Sequence, residues 1–260
     1  MPWRTGARGA VGRAVADPTD QSRPPLNAFA CRAFSAAVPV GVVAFWVGMF
    51  AAAKRYPAEY DWRYATISSL VYPERNPAGH LWASTGIALC GLLGLGWIIG
   101  LASTHPPRGD RRFAGWVWAL AVGYGCMAAA AALPERLVPV PKGHEILALT
   151  SFFCLCGGAV RLTYLRLTQT LSKRRTHSAG AVTAYAGIIA GLALAPIALA
   201  AIAQAYVSYA LPSLPWVNLS WRSLGVPAYL SFGFWEWVTC AVLSCYTVGF
   251  SLLTRNVEPT

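Results

Sequence analysis

Residues 81–102 read LWASTGIALCGLLGLGWIIGLA, 22 positions without a charged side chain. At 1.5 Å per residue such a helix is about 33 Å long, enough for a bilayer core of about 30 Å. Five further apolar runs flank it: Ala33–Ala53, Phe113–Leu133, Ile146–Leu165, Ala181–Tyr206 and Ala228–Leu253. Six runs in 260 residues leave no room for a separate soluble domain. The sequence therefore predicts an all-α, polytopic membrane protein, a six-transmembrane-helix bundle over residues 33–254. A basic, disordered cytoplasmic tail is expected over 1–32, and a short cytoplasmic tail over 255–260. The first run reads as an uncleaved signal anchor, because the tail is too long and too polar for a cleaved leader.

Composition supports the class. Hydrophobic residues make up 56% of the chain and charged ones only 12%, against about 25% charged in soluble domains. The net charge of +11 would suggest nucleic acid in a soluble protein. In a membrane protein it marks cytoplasmic loops and anionic headgroups, so nucleic acid is not an expected partner. With both termini inside, 14 Lys and Arg fall on the cytoplasmic side and 7 outside. The positive-inside rule thus favours cytoplasmic termini and an even number of crossings. Tyr and Trp residues such as Tyr56, Tyr60, Trp62, Trp82, Trp235 and Trp237 fall near the outward boundary, where an interfacial belt belongs.

Small residues at four-residue spacing, Gly96–Gly100 and Gly187–Gly191, are candidates for close helix approach. Pro196 should kink the fifth run. Cys31, Cys90, Cys126, Cys154, Cys156, Cys240 and Cys245 lie within or beside the runs, so no disulfides are expected.

The polar residues of interest gather in the outward segments. Tyr56–Trp82 and Leu133–Leu147 both contain Pro-Glu-Arg, a further Pro, then Gly-His opening an apolar run. Asp61, Arg63, Ser68, Glu74, Arg75 and His80 come from the first segment. Glu135, Arg136, His144 and Glu145 come from the second. Glu236 joins them from the last run, flanked by Trp235 and Trp237. A carboxylate at that depth is costly unless it faces the bundle interior, finds a partner or is protonated.

Three readings of this layer stand open. The arginines suit a phosphate-bearing lipid headgroup by their planar fork. His80 and His144 with nearby carboxylates could hold a divalent metal and activate water for lipid hydrolysis or transfer. Alternatively the groups form a salt-bridged lid, and the protein is an accessory subunit docking a membrane-protein partner or a second copy of itself. No HExxH or GxSxG motif and no Gly-rich phosphate loop is present. The expectation is a lipid-binding protein needing no cofactor, with metal chemistry entering only through the hydrolase alternative.

Tyr60-Asp61-Trp62-Arg63, Ile67-Ser68-Ser69-Leu70 and Asn76-Pro77 before a glycine-bearing apolar helix resemble the Y-D-x-R, I-S-x-L and N-P signature of uncharacterised bacterial six-helix membrane proteins similar to the DRAM/FRAG/SFK membrane family. The Pro134 to His144 segment and the Trp235-Glu236 pair are compatible with it. Ser69 stands where the eukaryotic form has Asp. The resemblance implies six helices, cytoplasmic termini and an outward polar cluster, with a role in membrane-lipid organisation. It carries no catalytic residues. A bacterial inner membrane is the expected location, given the Arg/Ala/Gly-rich composition.

Overall fold

The computed structural model describes residues 26–104, 111–133, 143–173, 220–223 and 227–255, with isolated positions at 191, 195, 198, 199, 202 and 225. Every described element is helical: α1 (Leu26–Lys54), α2 (Ser68–Val71), α3 (His80–Thr104), α4 (Arg111–Ala132), α5 (Gly143–Lys173), α6 (Ser220–Ser223), a 3₁₀ turn (Ala228–Leu230) and α7 (Phe232–Arg255). Among the described residues four segments are long and apolar enough to cross a membrane: Arg32–Lys54, His80–Ser103, Gly115–Ala132 and Gly143–Leu165. These fit an integral, multi-pass membrane protein. The sixth run supplies α7, 24 residues long. Most of the fifth run, with Gly187 and Pro196, lies outside the described residues. Its Gly191 lies against Val160 of α5.

Consecutive long helices pack on each other in the order α1, α3, α4, α5, and α7 contacts both α1 and α5. The closest backbone approach is between α1 and α3. A Cβ on Gly48 would stand 2.5 Å from the Trp82 carbonyl oxygen, and one on Gly86 would stand 2.7 Å from that of Ala44. Only glycine admits such a crossing, and dispersion between the two backbones then replaces the hydrophobic drive that lipid does not provide. Gly96, part of the expected pair, instead receives the Phe34 ring. Pro39 inside α1 removes one helical donor, a loss tolerated in spanning helices where neighbours re-satisfy the backbone.

Two apolar clusters fill the bundle. One surrounds Trp97, Leu101, Leu162 and Phe250. The other joins Met49, Leu70, Ala83 and Trp237 beneath α2. Val43, Val47 and Phe50 on α1 and Leu89, Leu92 and Ile99 on α3 point outward and are exposed, forming the apolar exterior that a lipid-facing surface requires.

Candidate functional site

The segment between α1 and α3 is built around Asn76, which is 0% exposed. Its Nδ2 donates to the Ala52 carbonyl at 3.1 Å and the Leu70 carbonyl at 3.3 Å. One amide thus ties the end of α1 to α2. The Asn76 carbonyl accepts the Gly79 and His80 N–H groups as α3 begins. Tyr60 folds beneath the same loop. Its hydroxyl lies 2.9 Å from the Thr66 carbonyl oxygen and 3.2 Å from that of Ala65. Burial, with the nearby Glu236 carboxylate adding to it, pushes the Tyr60 phenol well above its ordinary range.

The last helix is fastened to this loop by its first two turns. Glu236, 6% exposed, accepts the Ile67 backbone N–H on Oε2 at 2.9 Å. Trp237 Nε1 donates to the Ala65 carbonyl at 3.3 Å. Gly233 permits the approach, since a Cβ there would meet the Tyr64 carbonyl carbon and the Ala65 carbonyl oxygen, both at 2.9 Å. Deeper in the bundle Trp46 Nε1 donates to Ser244 Oγ at 3.1 Å and joins α1 to α7.

A cavity of about 110 Å³ lies below this junction. All five long described helices and the α2 segment line it. Val42, Phe45, Ile87, Phe152, Leu155 and Leu243 make its apolar walls. Ser68, His144, Ser151 and Glu236 supply polar groups at the loop end. Thr247 lies eleven residues beyond Glu236 on α7 and also lines it, so the cavity spans about 16 Å of helix. There the Tyr124 hydroxyl and Thr247 Oγ1 are hydrogen-bonded at 2.9 Å. Engineered interior cavities of about 150 Å³ hold a benzene-sized molecule. At about 110 Å³ the space is smaller than that and admits only a short hydrocarbon segment.

His144, 6% exposed, has a defined tautomer. Its Nδ1 lies 3.0 Å from the Ala130 carbonyl oxygen. A carbonyl has no proton to give, so Nδ1 carries one, which makes Nε2 the acceptor atom whenever the ring is neutral. The Tyr72 ring packs against the imidazole at a centroid distance of 5.0 Å.

The described members of the expected polar layer fall into separate groups. Ser68, His144 and Glu236 line the cavity. Asp61, 5% exposed, pairs with the exposed Arg63, which donates from Nε to Oδ1 at 2.8 Å and from Nη2 to Oδ2 at 2.9 Å. Arg222 of α6 adds a contact to Asp61 Oδ2 at 3.2 Å. Hydrogen bonding from Arg63 holds the Asp61 carboxyl below its ordinary range, and Asp61 raises Arg63 in return. Arg63 and Arg222 are thus both engaged by one carboxylate. Glu74, Arg75 and Glu145 are exposed. Arg75 lies over the Tyr72 ring at 5.4 Å. His80 Nδ1 faces the Asn76 and Pro77 carbonyls and does not line the cavity. Glu135 and Arg136 lie outside the described residues. Among the described residues no group of three His, Cys, Asp or Glu side chains is placed to hold a metal.

Asn76, Ser151 and the Tyr124–Thr247 pair were not marked as site residues by the sequence. Asn76 had one signal, the Asn-Pro step before a helix. The others had none, because an isolated Ser, Tyr or Thr in an apolar run carries no mark of which way it faces. No family model, curated protein or solved structure matches the chain.

Proposed function

We propose that this chain is a six-helix protein of the cell inner membrane, with cytoplasmic termini, that binds an amphiphilic membrane lipid within its bundle. A short stretch of the tail next to the head occupies the apolar cavity, and the head lies at its loop end among Ser68, His144, Ser151 and Glu236. The observation that carries the reading is the cavity itself, about 110 Å³ with apolar walls from five helices and a buried carboxylate and imidazole at one end. A carboxyl group and an imidazole buried at one end of an apolar cavity are costly as packing alone. A polar head with a hydrocarbon tail satisfies both features. The proposed site lies inward of the exposed arginines. Binding by the exposed Arg75 alone would need none of the interior features.

The test is lipid retention. Purified protein released from phosphatidylcholine nanodiscs into native mass spectrometry should carry a bound amphiphile. Ala148→Phe, which fills the cavity from α5, should abolish that mass. Leu92→Ala on the exposed face of α3 should leave it. Equal retention by both variants would refute an interior site. Reporter fusions at the C-terminus and within Tyr56–Gly79 should report opposite compartments.

A further inference from the structure

We infer that the head of the bound amphiphile is a hydrogen-bond donor, an alcohol or an ammonium, and not an anionic phosphate or carboxylate. This rests on the proposed lipid-binding role and specifies its ligand. The loop end of the cavity presents the Glu236 and His144 acceptors beside the Ser68 and Ser151 hydroxyls, which can donate or accept. Glu236 uses Oε2 for the Ile67 N–H, and the carboxyl group has further lone pairs to offer. His144 commits its Nδ1 proton to the Ala130 carbonyl, which leaves Nε2 as an acceptor in the neutral ring. Ser68 Oγ is paired with Thr66 Oγ1 at 2.9 Å.

No Lys or Arg lines the cavity among the described residues. Arg63 and Arg222 are tied to Asp61, and Arg75 is exposed and lies over the Tyr72 ring. An anionic head would find no guanidinium or ammonium in this lining to pair with. An alcohol supplies a donor to the Glu236 and His144 acceptors. An ammonium supplies the donor and also pairs the carboxylate charge. Both share the chemistry that the lining recognises.

The experiment uses the full chain in phosphatidylcholine nanodiscs with four probes on one diazirine-bearing alkyl tail. Their heads are a primary alcohol, a primary amine, a carboxylate and a phosphate monoester. After irradiation, peptide mass spectrometry locates the crosslinks. The alcohol and amine probes should label the wall residues Leu155 and Leu243 at least about tenfold more than the two anionic probes, a difference of about 1.4 kcal/mol in affinity. Amine labelling above alcohol labelling assigns the charge-paired head, and the reverse assigns the neutral one. Glu236→Gln keeps an oxygen for the Ile67 N–H and so preserves the fold. It should cut amine labelling several-fold while sparing the alcohol. Anionic probes labelling the walls as strongly as the others would overturn the assignment of the head while leaving tail binding intact. Labelling confined to lipid-facing positions such as Val47 and Leu92, with every probe, would overturn the binding role as well.

Discussion

Asn76→Asp should destabilise this protein more than Asn76→Ala, although Asp is nearly the same size as Asn. The amide nitrogen of Asn76 donates to two carbonyls, those of Ala52 and Leu70, at a site 0% exposed. Truncation to Ala loses both bonds. Each is worth about 1 kcal/mol net, and a carbonyl left unpaired in a dry site costs about 1–3 kcal/mol. Ala52 retains the Arg55 N–H at 3.1 Å, so the larger penalty falls on Leu70. The loss on Asn76→Ala should therefore total about 2–4 kcal/mol. An ionised Asp has no donor at all and sets a charge against two carbonyl oxygens. Burying an unpaired carboxylate costs several kcal/mol more. Protonation restores a single O–H donor, so the gap between the two variants should narrow on acidification. The assay is thermal unfolding in detergent followed by far-UV circular dichroism at pH 8 and pH 4, ranked by apparent Tm because unfolding of such proteins is commonly irreversible. An Asn76→Asp variant at least as stable as Asn76→Ala at pH 8 would refute the assignment of Asn76 as a double donor.

Gly86→Ala should cost about 1–3 kcal/mol, because its Cβ would stand 2.7 Å from the Ala44 carbonyl oxygen and force α1 and α3 apart. Gly125→Ala, with nothing among the described residues within 4 Å, should instead be neutral or stabilising by up to about 1 kcal/mol; equal effects in the same unfolding assay would show that the crossing is loose. The depressed Asp61 carboxyl contributes stability that is complete above about pH 4 and is lost as the pH falls through its lower folded value. Wild type and Asp61→Asn should therefore converge in apparent Tm toward pH 3, whereas a constant gap would remove the ion pair as the cause. The raised Tyr60 phenol has the opposite sign, with stability present below about pH 10 and lost as the pH rises further. Tyr60→Phe should cost about 1 kcal/mol at neutral pH and flatten the alkaline limb, and tyrosinate absorbance should show one more group held un-ionised in the folded wild type than in the variant.

Length and apolarity made the spanning helices legible. The run Leu81–Ala102 lies within α3 at His80–Thr104, and Phe113–Leu133 nearly coincides with α4 at Arg111–Ala132. The run Ile146–Leu165 understates α5, which continues to Lys173. Hydropathy follows the edge of the bilayer, while backbone hydrogen bonding continues through Leu, Gln and Thr beyond it. Glu236 was legible because a lone carboxylate in an apolar run has few places to go. Its partner was not, since a backbone N–H at Ile67 leaves no mark in side-chain pattern. Direction around a helix was also illegible. The two Gly-His openings look alike, yet His144 is buried against Ala130 and lines the cavity while His80 turns to the carbonyls of its own loop. Gly48 and Gly86 were missed because the contact joins two helices and forms no repeat within either.

The fastening of α7 to the first long loop bears on the order of assembly. Glu236 and the Ile67 N–H are 169 residues apart in sequence. At about 5–20 residues per second of synthesis, the loop emerges roughly 10–30 s before its acceptor exists. For that interval the Ile67 and Ala65 groups must be served by water or a chaperone, and the hollow beneath them has no final wall. Insertion of the last helix is thus the step that seals the interior, and a nascent chain arrested before Phe232 should remain open to membrane proteases at this loop.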